Sequence, residues 1–134
     1  MNRAILCSAM EGVLSGLGYD LILDDKSHYP ATICRYPAAF MPHPEFISQE
    51  GRHHGRITYK VSLRLAEQAA KLSPKERGER LADMEQQMVE IFTELSQAAV
   101  VAVVRELTIK PLAGVVDQHG AITIEAQAEI ETIF

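Results

Sequence analysis

Cysteine is scarce in this sequence: Cys7 and Cys34 are the only two in 134 residues. A chain of that length buries roughly 68% of the surface its unfolded form exposes, enough to hold a core without a disulfide staple. Neither cysteine lies in a CxxC pair or a nucleophile motif, so both read as free thiols without a catalytic role. Long apolar runs are lacking as well. The longest, Ala98 to Val104, falls far short of the ~20 residues of a membrane-spanning helix. The N-terminus meets Glu11 before any signal-peptide core or cleavage site develops, so a soluble, cytosolic start is expected. Basic residues are outnumbered, 13 Lys and Arg against 18 Asp and Glu, for a formal charge of -5. That balance argues against a generic binder of nucleic acid or anionic membrane, because neutralising phosphates takes a cationic surplus.

The standard signatures of chemistry are missing too. Gly12, Gly16 and Gly18 do not form GxGxxG, and no Walker GK[ST] or HExxH occurs. Ser27 and His28 beside Asp24 and Asp25 supply the residue types of a hydrolytic triad without a nucleophile elbow, and ordinary turn chemistry accounts for them. His43, His53 and His54 raise the question of a metal. However, adjacent histidines on a strand point to opposite faces, and Glu45 and Glu50 have no motif relation to them. They read as a polar loop. No catalytic residue, cofactor or metal is assigned.

What is present is strong periodicity. Ile5, Leu6, Ala9, Met10, Val13, Leu14 and Leu17 recur as one face of a helix, closed by Gly16 and Gly18. Tyr19 to Leu23 and Ala31 to Tyr36 read as extended segments. Prolines then dominate Pro37 to Pro44, which excludes a regular helix or a central strand there, and Glu45 to Gly55 reads as an irregular or hairpin-like excursion. From Arg56 to Gln68, Ile57, Tyr59, Val61, Leu63 and Leu65 alternate with Thr58, Lys60, Ser62 and Arg64, the pattern of a strand covered on one face. Ser73-Pro74-Lys75-Glu76 predicts a capped helix start, and Leu81, Met84, Met88, Ile91, Phe92 and Leu95 form its apolar stripe. Val101 to Leu112, extendable to Val116, and Ile122 to Glu131 predict a terminal hairpin around the turn Asp117 to Gly120. No repeat or composition shift divides residues 1–134. One α+β domain is expected, an antiparallel or mixed sheet covered on one face by two helices in two layers.

Arg52, His53, His54, Arg56, Lys60 and Arg64 make the most basic stretch of an acidic chain. Beside the plain reading of a solvated loop and strand, they suggest docking onto the acidic surface of identical subunits, with Arg52, His53, His54 and Arg56 as candidate assembly contacts. Glu125, Glu129 and Glu131 share one face of the last strand. They read either as a solvated surface or, repeated around a ring, as a negative wall past which nucleic acid slides.

The run Tyr29-Pro30-Ala31-Thr32-Ile33-Cys34-Arg35-Tyr36, a long loop, and then Ile57-Thr58-Tyr59-Lys60-Val61-Ser62-Leu63-Arg64-Leu65 resemble the tail terminator (minor tail protein U-like) family of long-tailed bacteriophages. In that family a helix precedes a short strand and a strand introduced by Pro-Ala, and a variable loop leads to a long alternating strand, a helix and terminal strands. The resemblance implies a hexameric ring that stacks on the tail tube protein, ends tube polymerisation and meets the head-tail connector proteins. It implies no enzymatic activity, no cofactor, no membrane and no sequence-specific nucleic acid, and a place in the virion tail after assembly in the host bacterial cytoplasm. No family motif carries functional residues onto this chain; the proline-rich Tyr36 to Pro44 segment is a candidate for insertion between subunits. Two other readings remain, a different neck or head-completion subunit and a cytosolic small-ligand-binding or enzymatic domain.

Overall fold

The computed structural model describes residues 2–24, 37–111 and 120–134. Its elements are α1 (Asn2–Gly16), β1 (Asp20–Asp24), β2 (Ala38–Pro42), β3 (Glu45–Gly51), β4 (Gly55–Gln68), α2 (Pro74–Leu95), β5 (Val101–Pro111) and β6 (Ala121–Ile133). The strands form one six-stranded sheet in the order β1-β2-β4-β6-β5, with β3 also pairing with β4. β1 and β2 run parallel and every other pairing is antiparallel. The fold is therefore α+β with a mixed sheet.

Each helix forms because its apolar spacing matches the helical period. On α1 the stripe Leu6, Met10 and Leu14 is fully buried, and the helix ends where Gly18 adopts φ 86° and Tyr19 N–H donates to the Leu14 carbonyl at 3.0 Å. On α2 the capping box is complete. Ser73 Oγ accepts from Glu76 N–H at 3.2 Å, and the Glu76 carboxylate accepts from Ser73 N–H at 3.0 Å, holding its pKa below the usual range. Met84, Met88, Ile91, Phe92 and Leu95 then face inward.

Both stripes pack on one face of the sheet, against Tyr59, Val61, Leu63 and Leu65 of β4 and Ile122, Ile124 and Ile130 of β6. Fully burying side chains of this size contributes roughly 1.5–3 kcal/mol each. A polar clasp sits beside this core. Tyr19 Oη donates to Gln87 at 2.6 Å, and Arg80 donates to Glu67, tying the start of β1 and the end of β4 to α2. Burial, then the neighbouring Glu67 charge, pushes the Tyr19 phenol far above its ordinary pKa.

The structure corrects one expectation. Ala38–Pro42 is a strand, and an interior one, between β1 and β4. The prolines do not prevent it because Pro37 and Pro44 lie outside the strand and Pro42 is its last residue, leaving Ala38 to Met41 with their amide donors. These four side chains are buried in their own sheet, so this part of the segment is not free to insert between subunits. β2 and β3 lie end to end along β4, separated by the bend at His43 and Pro44. The extended reading of Ala31 to Tyr36, Cys34, the extension of β5 to Val116 and the Asp117 to His119 part of the turn lie outside the described residues.

Candidate functional site

The β3–β4 hairpin carries the residues nominated from charge. Gly51 supports φ 86°, and a side chain on Gly55 would meet the Glu50 carbonyl oxygen at 1.9 Å, so the turn needs glycine at both ends. Arg52, His53 and His54 stand exposed at the tip. Phe134, just after β6, anchors this turn: Gly55 N–H donates to the Phe134 carbonyl at 3.2 Å, and Phe134 N–H donates to the Gly55 carbonyl at 3.0 Å.

Arg56 differs from its neighbours at the tip. Its guanidinium donates to Glu131 at 2.6 Å, while Arg105 of β5 donates to the other oxygen of the same carboxylate at 2.5 Å. Further along, Arg64 donates to Glu125 at 3.0 Å. Burial by itself would raise the Glu131 carboxyl, but the hydrogen bonds and charges of Arg105 and Arg56 outweigh it and hold the pKa below the usual range.

Two expectations change in consequence. Glu125 and Glu131 are 9% and 7% exposed and each is ion-paired, so they form no wall of free negative charge. Arg56 and Arg64 are ion-paired within their own chain, Arg56 while still largely exposed, and Arg52, His53, His54 and Lys60 are the other exposed residues of the basic stretch. The cross-strand register brings these charges together, since β4 and β6 pair residue for residue with Arg64 opposite Glu125 and Lys60 opposite Glu129.

Glu129 meets a like charge. It hydrogen-bonds to Glu106, and that contact, then the Glu106 charge, raises the Glu129 pKa despite Arg105 and Lys60 nearby. Among the described residues Glu106 is the one non-glycine with a positive φ, at 55°, in the β-bulge of β5 between Arg105 and Thr108. A carboxyl raised on folding contributes stability that is fully present below its unfolded value of 4.5 and is lost as pH rises through the folded one. Glu129→Gln should therefore raise the melting temperature at neutral pH, with the gain fading as the buffer is taken below the glutamate range. An equal gain at every pH would show that Glu106 is not the cause.

The histidine cluster does not assemble. His43 lies in the bend before β3 and His53 and His54 lie beyond its far end, a separation of roughly 20 Å at the usual rise of a seven-residue strand. Among the described residues no group of three or more His, Cys, Asp or Glu is placed to hold a metal. Cys7 is half-buried, and burial raises its thiol pKa against the lowering effect of Arg3. Asp25, Ser27 and His28 lie outside the described residues, as does the side chain of Asp24.

Two strands with a single neighbour among the described residues, β3 and β5, carry exposed apolar side chains. All seven residues of β3 are exposed, including Phe46 at 50% and Ile47 at 44%. Phe46 stands edge-on to the Tyr59 ring at 6.3 Å, with the Arg3 guanidinium 5.7 Å from that ring. On β5 Val103 is 40% exposed, and a shallow groove of about 280 Å³ between α2 and β5 is lined by Val89, Phe92, Val104 and Leu107 among others. On the other face of the sheet an open groove of about 520 Å³ runs from Ile47 and Lys60 to Glu106 and Thr108. Sequence reasoning did not single out Phe46, Ile47, Arg105 or Glu106. The β-branched richness of β5 was visible, but which strand forms an edge depends on pairing, which no local pattern encodes.

No family model matches the sequence, and no curated protein matches it. Among solved structures, the type 4 fimbrial biogenesis protein PilO from Pseudomonas aeruginosa is similar with a TM-score of 0.43 and 8% identity, over 96% of this chain and 67% of that chain. A likeness so distant has no bearing on what this chain does. Among the described residues no helix is long and apolar enough to cross a membrane.

Proposed function

We propose that this chain is a structural, non-enzymatic subunit of a long-tailed bacteriophage, acting as its tail terminator. In this reading copies join into a ring, hexameric as in the family it resembles, and seat on the last ring of tail tube protein. The ring then stops tube growth and offers its far side to the head-tail connector proteins, in the virion tail. The observation that supports the reading is the placement of exposed apolar surface: Phe46 and Ile47 on β3, and Val103 on β5, lie on strands with a single neighbour each among the described residues. An open strand edge carrying apolar side chains is a template for pairing with another chain.

The test is the native mass of the purified protein with and without tail tubes, followed by electron microscopy of tube ends. A ring at the tube tip, and tubes of limited length when the protein is supplied during polymerisation, are expected. Tubes that grow to the same length with bare tips would overturn the reading, and attachment to the head portal alone would make the chain a different neck subunit.

A further inference from the structure

We infer that copies of this chain join head to tail through two strands that each have one neighbour among the described residues, β5 of one copy lying antiparallel to β3 of the next, with Arg105 facing Glu45 and Val104 facing Phe46 across the junction. The inference rests on the self-assembly part of the reading above and names the surface that performs it.

Its basis is the register of the sheet. On one face a single row crosses four strands as Glu45, Lys60, Glu129 and Arg105, alternating in sign from an acid on β3 to a base on β5. The adjacent row, on the helix-covered face, runs Phe46, Tyr59, Ile130 and Val104 and is apolar throughout. Each row ends at one edge in what its other end would accept as a neighbour. Arg105, half-exposed while it donates to Glu131 of its own chain, continues the alternation beside the next copy's Glu45, and Phe46 beside Val104 continues the apolar row.

Strand direction agrees. β3 is antiparallel to β4, β4 to β6 and β6 to β5, so the two edges run in opposite senses, and a copy placed alongside presents β3 antiparallel to β5. The groove between α2 and β5, with Val89, Phe92, Val104 and Leu107 in its lining, opens on the face that carries the apolar row and is placed to receive the half-exposed Phe46 ring.

The β-bulges flank these two rows. On β3 one lies between Phe46 and Ser48; on β5 one lies between Arg105 and Thr108, on the opposite side of the matched pairs, and a second between Val101 and Val103. Regular pairing is therefore confined to a short stretch, which limits indiscriminate edge-to-edge growth. Because each strand is rotated by roughly 20–25° on its neighbour, successive copies turn relative to one another, and such heterologous contacts close into a ring or run on as a filament.

The test uses charge exchange at the junction, read by sedimentation of the full chain over a range of concentrations. Glu45→Arg alone places Arg against Arg, and Arg105→Glu alone places Glu against Glu, so each variant should self-associate roughly tenfold more weakly or worse. Mixed in equal amounts, the two variants restore opposite charges at every junction and should recover the parent's assembly. Phe46→Ser, at a half-exposed position, should weaken association with the circular dichroism spectrum retained.

Loss in the single variants with rescue on mixing supports the inference. If either single variant keeps the parent's circular dichroism spectrum and assembles like the parent, or if mixing the two folded variants brings no recovery, these strands are not the junction; a parent that stays monomeric at all concentrations and on tubes overturns it too. Tube capping is scored separately. A parent that forms rings but ignores tube tips sinks the terminator reading and leaves the junction standing, whereas a capping ring indifferent to all three substitutions does the reverse.

Discussion

Phe92→Ala is expected to cost about 3–5 kcal/mol, the range for removing a large aromatic side chain from a packed core. Phe92 is 2% exposed on α2, in the cluster that includes Met88, Leu95 and the inward side chains of β4 and β6. The surrounding structure has little freedom to fill the gap, because the capping box fixes the start of α2 and Ser96 N–H closes its end on the Phe92 carbonyl at 3.0 Å. The loss is a large share of the roughly 5–15 kcal/mol that holds a domain together. Urea unfolding monitored by circular dichroism measures it, with Val89→Ala as the control. Val89 lies on the same helix but is 44% exposed, so its truncation should change stability by about 0.5 kcal/mol or less. Equal effects at the two positions would mean that α2 does not dock by the face described.

Gly55→Ala is the second large effect, by a different mechanism. The new methyl carbon would stand 1.9 Å from the Glu50 carbonyl oxygen and 3.0 Å from the Gly51 Cα, both backbone atoms that no rotamer change can move aside. The β3–β4 turn must open, and because Gly55 also exchanges two hydrogen bonds with Phe134, the end of β6 is disturbed with it. We expect a loss of roughly 2–4 kcal/mol, in the upper range for overpacked or strained sites. Amide exchange should locate it: protection falls along β3 and at Gly55 and Phe134, while the middle of β4 and β6 stays protected. Since β3 is one half of the proposed junction, self-association should fall in the same variant. Unchanged protection along β3 would contradict the described turn.

The outcome of the charge reading shows where sequence reasoning stops. The periodicity of β4 and β6 located both strands and their buried faces from Tyr59, Leu63, Ile124 and Ile130. It also placed Arg64, Glu125 and Glu131 on the opposite faces. It did not reveal that β4 and β6 are neighbours in a register that sets Arg64 against Glu125. Glu125 and Glu131, which read as negative surface in one dimension, are therefore neutralised in three, while Glu129 between them meets Glu106. The same pairing decides that Arg56 is held within its own chain while Arg52, His53 and His54 remain free of the sheet at the hairpin tip.

What the amino-acid order determined alone is whatever depends on near neighbours. The helical stripe of α1, the Ser73–Glu76 capping box, the alternating faces of β4 and β6, and the two-layer α+β class follow from periods of 3.6 and 2 and from hydrogen bonds that span a few residues. Tertiary structure decided what depends on which distant strands meet. It put Ala38 to Met41 inside the sheet between flanking prolines, left β3 and β5 with one neighbour each among the described residues, strained Glu106 in a bulge and joined Arg105 and Arg56 on one carboxylate. Strand pairing is chosen by the fit of whole faces and registers across the sheet, a property of the assembled core that no single segment contains.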